Sequence, residues 1–145
     1  ANYNKALEFT PNYHLAFNNR GNVYYELGDY EKAMSDYNKA LEIDSEYSLS
    51  YNNRGLIYGK LGDYEKAVSD YNKAIELDPT YIMPYKNCGK LHKKNGDYEK
   101  AIDMFTKAIH LDPNNKNIYL ERAEVYRLMG EEKKADADEK KAESL

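Results

Sequence analysis

The residue types able to do chemistry in this 145-residue chain are few: three histidines (His14, His92 and His110), one cysteine (Cys88) and 25 acidic side chains. A zinc or copper centre draws Cys and His ligands from short, fixed spacings. The histidines are scattered, with no such Cys or acid pairing, so no metal site is expected. Nucleophilic catalysis needs a Ser or Cys beside a base. No Ser or Cys stands beside a plausible base, and a chain of near-identical units rarely builds one closed pocket, so the chain is not expected to be an enzyme. The glycines lie in helix turns or helix–helix contacts and do not follow a strand, as a phosphate-cradling loop would, so no nucleotide or other cofactor is implied. A single cysteine cannot staple the chain internally, which points to a reducing compartment, the cytoplasm. No apolar run is long enough to span a bilayer, and the opening Ala-Asn-Tyr-Asn-Lys has no signal-peptide character. The missing initiator Met suggests an excised piece. A net charge of −4 supplies no global field for nucleic acid or anionic lipid.

What those residues sit on is decided by internal repetition. The string Gly-Asp-Tyr-Glu-Lys-Ala occurs at Gly28–Ala33, Gly62–Ala67 and Gly96–Ala101, 34 residues apart each time, with a degraded copy at Gly130. Segments 14–47 and 48–81 are identical at about two-thirds of positions. Within each period the apolar spacing is helical: Phe17, Gly21 and Tyr24 share one face of a first helix, and Ala33, Tyr37, Ala40 and Leu41 one face of a second. The Gly supplies a left-handed cap to the first helix, and the following Asp can cap the second through its carboxylate. Second helices end near Asp44-Ser45, Asp78-Pro79 and Asp112-Pro113. Small residues fall where helices must approach closely: Gly21, Gly55, Gly89 and Ala123 in the first helices, and Ala33, Ala67, Ala101 and Ala135 in the second. Two aromatic rows, Phe17/Tyr51/Tyr85/Tyr119 and Tyr24/Tyr58/His92/Tyr126, are expected to fill the remaining space. In that register His92 and Cys88 read as packed side chains, Cys88 standing in the column of Arg20, Arg54 and Arg122.

In segment 48–81 the pattern reads Tyr51, Arg54, Gly55, Tyr58, Ala67, Tyr71, Ala74, Pro79, which resembles the tetratricopeptide repeat signature. The departure is Arg54, with Arg20 and Arg122, where the family more often has Leu; those arginines are expected to snorkel or to pair with acids. The resemblance implies an all-α fold, a right-handed α-solenoid of stacked antiparallel helix pairs. The whole chain, 1–145, then reads as one domain: a partial repeat at 1–13 (a second helix carrying Tyr3, Ala6, Leu7 and Pro11), repeats at 14–47, 48–81 and 82–115, and a degenerate repeat with a polar capping helix at 116–145. The unpaired face at 1–13 suggests a fragment of a longer array and self-association through that end.

The resemblance also implies a function: a scaffold for protein–protein interaction that binds a peptide or protein segment in a concave groove lined by the first helices. The groove residues it implies are Asn18, Asn19, Asn22, Tyr25, Asn52, Asn53, Leu56, Lys86, Asn87, Lys90, Lys94 and Glu121. Asn19, Asn53 and Asn87 recur at the repeat period, a ladder of amides suited either to a peptide backbone or simply to a helix surface. Segment 14–47 has three basic against seven acidic side chains, whereas 82–115 has six against four. Lys86, Lys90, Lys93 and Lys94 follow helical spacing, so the partner is expected to carry acidic residues over the third repeat. The family's two-carboxylate clamp for chaperone tails would fall on Asn18, Asn22, Asn53, Met83 and Asn87. Only Asn22 and Asn53 match and its basic residues are missing, so that ligand is not expected. The alternatives are a single-stranded RNA-binding helical-repeat module, disfavoured by the 34-residue period and acidic first full repeat, and a non-catalytic targeting domain of a larger enzyme.

Overall fold

A computed structural model describes residues 13–145. Eight helices and no strands are found among them: α1 (His14–Glu26), α2 (Tyr30–Ile43), α3 (Ser48–Lys60), α4 (Tyr64–Leu77), α5 (Ile82–Asn95), α6 (Tyr98–Leu111), α7 (Lys116–Leu128) and α8 (Glu132–Glu143). The features expected of residues 1–12 lie outside the described residues.

Each hairpin turn is built by its glycine. Gly28, Gly62, Gly96 and Gly130 have φ between 76° and 84°, the left-handed region that side chains avoid. The turn lets the next amide fold back onto the first helix: Asp29 N–H donates to Tyr24 O, and Asp63 N–H to Tyr58 O, both at 2.9 Å. The expected carboxylate cap forms on α2 and α4, where Asp29 and Asp63 accept from Lys32 N–H (3.2 Å) and Lys66 N–H (3.3 Å). It does not form on α6, because Asp97 accepts instead from Asn95 Nδ2 at 3.1 Å. Asp44, Asp78 and Asp112 all leave the helical region after α2, α4 and α6, although Pro follows only the last two.

The hairpins fall into two compact units, one ending at Pro79 and one running from Thr80 to Leu145. In the first, α1 pairs with α2 and α3 with α4, while α2 packs on α3. In the second, α5 pairs with α6 and α7 with α8, while α6 packs on α7. Both cores are laid on alanines: Ala33, Ala40, Ala67, Ala74, Ala101, Ala108, Ala135 and Ala142 are all 0% exposed. The close approach has a specific partner. A Cβ on Gly21 would stand 2.7 Å from the Tyr37 ring, one on Gly55 2.9 Å from Tyr71, and one on Gly89 2.8 Å from Phe105. The fourth hairpin has Ala123 at the glycine position, and there the ring is replaced by Glu139, which reaches out to Arg127.

The aromatic rows need one correction. Tyr37, Tyr71 and Phe105 form the buried row, whereas Tyr24, Tyr51, Tyr58 and Tyr126 are only half-buried. The half-buried rings bracket the arginines: the Arg54 guanidinium lies 5.5 Å from the Tyr51 centroid and 5.8 Å from that of Tyr58. Each arginine also pairs with an acid sixteen residues on. Arg20 grips Asp36 through two bonds of 2.6 Å, Arg54 grips Asp70 through two of 2.8 Å, and Arg122 grips Asp138 at 2.7 and 2.8 Å. Arg54 and Arg122 reach one hairpin back as well, to Asn38 Oδ1 (2.9 Å) and Thr106 Oγ1 (3.0 Å). The third repeat replaces both members together, with Cys88 for Arg and Met104 for Asp.

Candidate functional site

On the first-helix side of the first unit the expected asparagines divide by depth. Asn18 and Asn52 are 1% and 2% exposed, which corrects their assignment to a ligand-facing surface. They belong to a hydrogen-bonded layer between α1 and α3. Asn18 Oδ1 accepts from Ser50 Oγ at 2.9 Å and from Asn53 Nδ2 at 3.1 Å. Asn22 Oδ1 accepts from Asn53 Nδ2 at 3.0 Å and from Tyr37 Oη at 2.7 Å, and Asn52 Nδ2 donates to Asn53 Oδ1 at 3.3 Å. Amides buried this way would cost about 1–3 kcal/mol each if left unpaired, so the layer fixes the register of α3 on α1. Asn53 is therefore a structural bridge, while Asn19 is exposed; recurrence at 34 residues has not given the two amides equivalent surroundings. Tyr25 and Leu56 are half-buried, and Lys60 Nζ stands 6.0 Å from the Tyr25 ring centroid.

In the second unit, α5 and α7 enclose a hollow of about 330 Å³ lined by Lys86, Lys90, Asn117, Leu120, Glu121 and Glu124. It gathers three of the expected site residues, Lys86, Lys90 and Glu121. Lys94 is exposed and Asn87 half-buried, and neither lines it. Much of the expected lysine stripe is neutralised from α7: Lys90 Nζ lies 3.4 Å from Glu121, and Lys93 Nζ lies 3.0 Å from Glu121 and 2.8 Å from Glu124. Desolvation alone would lower the Lys93 pKa, but the Glu124 and Glu121 carboxylates outweigh it and raise it. Desolvation would likewise raise Glu121, yet Lys93 and Lys90 hold it below the usual carboxylate range. Asn117, Leu120 and Glu124 line the hollow because α7 repeats the first-helix register. Leu120 and Glu124 lie one turn apart there, a helical spacing visible in the sequence.

The expectation that no Cys stands beside a base is also corrected. Cys88 Sγ lies 3.3 Å from His92 Nε2, an i, i+4 contact along α5 that was legible in the spacing. Both side chains are buried, and burial pushes the Cys88 thiol up to about 12 while lowering the His92 pKa. Reactive cysteines present an exposed thiolate, whereas burial here disfavours both the thiolate and the imidazolium, which is the setting of a packed pair. No cluster of three His, Cys, Asp or Glu side chains able to hold a metal occurs among the described residues, and no helix there is long and apolar enough to cross a membrane.

The 34-residue hairpins, glycine turns and alanine rows find matches among known proteins. Three sequence profiles match: TPR repeat over residues 1–28 and 21–62, tetratricopeptide repeat over 48–81 and 83–115, and a further tetratricopeptide repeat over 104–137. The chain belongs to the tetratricopeptide repeat family. No curated protein matches it. Among solved structures, the tetratricopeptide chain resembles MamA at 24% identity and a TM-score of 0.88, over 98% of this chain and 83% of that one. The first TPR of Spaghetti (RPAP3), solved with the HSP90 peptide SRMEEVD, is 26% identical with a TM-score of 0.77, over 81% of this chain and 93% of that one. A tetratricopeptide repeat protein from Parabacteroides merdae ATCC 43184 is 32% identical with a TM-score of 0.77; the match covers 94% of this chain and 53% of that one. The fold class is thus the all-α tetratricopeptide solenoid.

Proposed function

We propose that this tetratricopeptide chain, a protein–protein interaction scaffold, holds an extended peptide segment of its partner on the first-helix faces, with the α5–α7 hollow as the principal site. The observation that carries the reading is the hollow itself, at the small end of ligand cavities (about 300–1,000 Å³) and furnished with an amide, an exposed leucine and charges of both signs. Asn117 can bond a peptide backbone, Leu120 can take an apolar side chain, and Lys86, which has no ion pair among the described residues, can take an acidic one. Asn19, Tyr25 and Leu56 offer a second, weaker contact surface in the first unit. The peptide bound by the first TPR of RPAP3, a chain of similar length, supports a peptide ligand in kind. The burial of Cys88 and His92 keeps that pair away from a substrate and supports a non-catalytic role, and the cytoplasmic home stays a proposal that rests on the single cysteine. Self-association through the partial repeat at 1–13 remains part of the proposal, and residues 1–12 of it lie outside the described residues.

The test is a peptide array probed with the labelled domain, followed by amide chemical-shift mapping with the best binder. Shifts at Lys86, Asn117 and Leu120, and loss of binding in Leu120→Arg with the fold intact by circular dichroism, are expected. Shifts confined to α6 and α8, or binding indifferent to Leu120→Arg, would overturn the site.

A further inference from the structure

At the hollow and its rim three ammonium groups meet two carboxylates, and the surplus is localised. Lys86 and Lys90 of α5 line it with Glu121 and Glu124 of α7, and Lys93 of α5, just outside the lining, reaches both glutamates. Glu121 occupies two of those lysines at once, with Oε1 toward Lys90 and Oε2 toward Lys93, while Glu124 shares Lys93. Lys86, the third, has no ion pair among the described residues. Glu121 is held there by more than charge: its side chain is 25% exposed and that of Lys93 20%, so the pair is partly withdrawn from water and keeps its geometry better than a surface pair would.

We propose that Glu121 is a selectivity gate: by occupying Lys90 and Lys93 it limits the hollow to a segment bearing one acidic side chain, set on Lys86, beside an apolar residue on Leu120, and it rejects runs of acids. The proposal rests on the hollow being the peptide site. A second ligand carboxylate would have to displace Glu121 from Lys90 and would then lie beside that displaced carboxylate. Like charges brought together cost more than the new pair returns, which is how a repulsive group gives specificity. The committed ligand is an internal Asp or Glu of the partner and not its terminal carboxylate, because one open lysine serves one carboxylate and a terminus adds a second to any acidic side chain nearby.

The probes are blocked heptapeptides (N-acetyl, C-amide) with one central leucine and zero, one or three glutamates, titrated by fluorescence anisotropy against the parent, Glu121→Gln and Lys86→Gln. The parent should rank the singly acidic peptide first. Glu121→Gln, which keeps the shape and frees one lysine, should strengthen the triply acidic peptide by about fivefold and steepen its salt dependence. Lys86→Gln should erase the preference for one glutamate. The singly acidic peptide with a free C-terminus should bind no better than its amide. An unchanged ranking in Glu121→Gln, or a parent that already prefers three glutamates, overturns the gate. If the uncharged peptide binds and shifts Leu120 while the ranking ignores Glu121, only the gate falls; if no peptide binds any variant, the hollow as a peptide site falls with it. Melting curves establish folding, and Lys90→Gln supplies a second variant, expected to weaken the triply acidic peptide further.

Discussion

At the residue scale, the third repeat has already carried out an informative experiment. An arginine pinned between two rings and an aspartate is tolerable in a half-buried site only while both charges are present. The Arg54 and Asp70 side chains are 21% and 8% exposed. Removing Arg54 alone strands Asp70, so Arg54→Cys should destabilise by about 3 kcal/mol, near the lower end for a broken buried pair. Adding Asp70→Met, which reproduces the Cys88/Met104 arrangement, should recover at least half of that in denaturant titrations; a double variant as unstable as the single one would contradict the exchange. The same logic governs Gly55. Its missing Cβ makes room for a ring that is itself 2% exposed and cannot yield, so Gly55→Ala should cost about 1–3 kcal/mol despite alanine's better helix propensity. Glu121 gives a pH signature. Its folded pKa is lowered, so its stabilisation is complete above the unfolded carboxyl value of about 4.3 and is lost as pH falls through the lower folded value. The melting temperature of the parent should therefore exceed that of Glu121→Gln near neutrality, and the two should converge in acid.

At the element scale, helix pairing depends on rows of alanine, and the last helix obeys the same rule as the others. A polar helix near a repeat boundary suggests tolerance to substitution, and Ala142→Arg would on that view cost little. Ala142 is nevertheless 0% exposed, in the row of Ala40, Ala74 and Ala108. Both Ala67→Arg and Ala142→Arg should therefore cost several kcal/mol, with an extra cost wherever the guanidinium cannot reach water. A melting temperature for Ala142→Arg equal to the parent's would show that α8 packs less tightly than its alanines indicate. The turns matter separately: Gly62, with φ of 82° and open space where a Cβ would go, should lose about 1 kcal/mol on replacement by Ala through backbone strain alone.

For the whole molecule, charge is divided between the units. Residues 14–79 have seven basic against twelve acidic side chains, and 80–145 thirteen against twelve. An acidic partner segment should be steered to the second unit, and photo-crosslinking with a singly acidic peptide should label α5 and α7 ahead of α1 and α3. Stability should be graded too. Among the described residues, helix α8 packs on α7 alone and buries Ala135, Asp138 and Ala142, so its amides should exchange faster than those of α2, α4 or α6.

Repetition made the fold legible. A 34-residue period with Gly-Asp turns and apolar residues at helical spacing leaves a chain one economical way to hide its faces, and these are local signals that tertiary context had no reason to override. Helical hairpins, glycine turns and close approaches at Gly21, Gly55 and Gly89 all followed from it. What the sequence could not decide was the use to which identical residues are put. Asn19 and Asn53 occupy one column, yet one faces solvent and the other bonds Asn18 and Asn22, because a partner 31 or 35 residues away comes into reach only when hairpins stack. Lys90 and Lys93 read as an open cationic stripe until α7 brought Glu121 and Glu124 against them from 28 to 31 residues further along the chain. Local spacing reveals which residues share a face of one helix; the distance between two faces, and hence which charges remain for a ligand, is set by packing across helices.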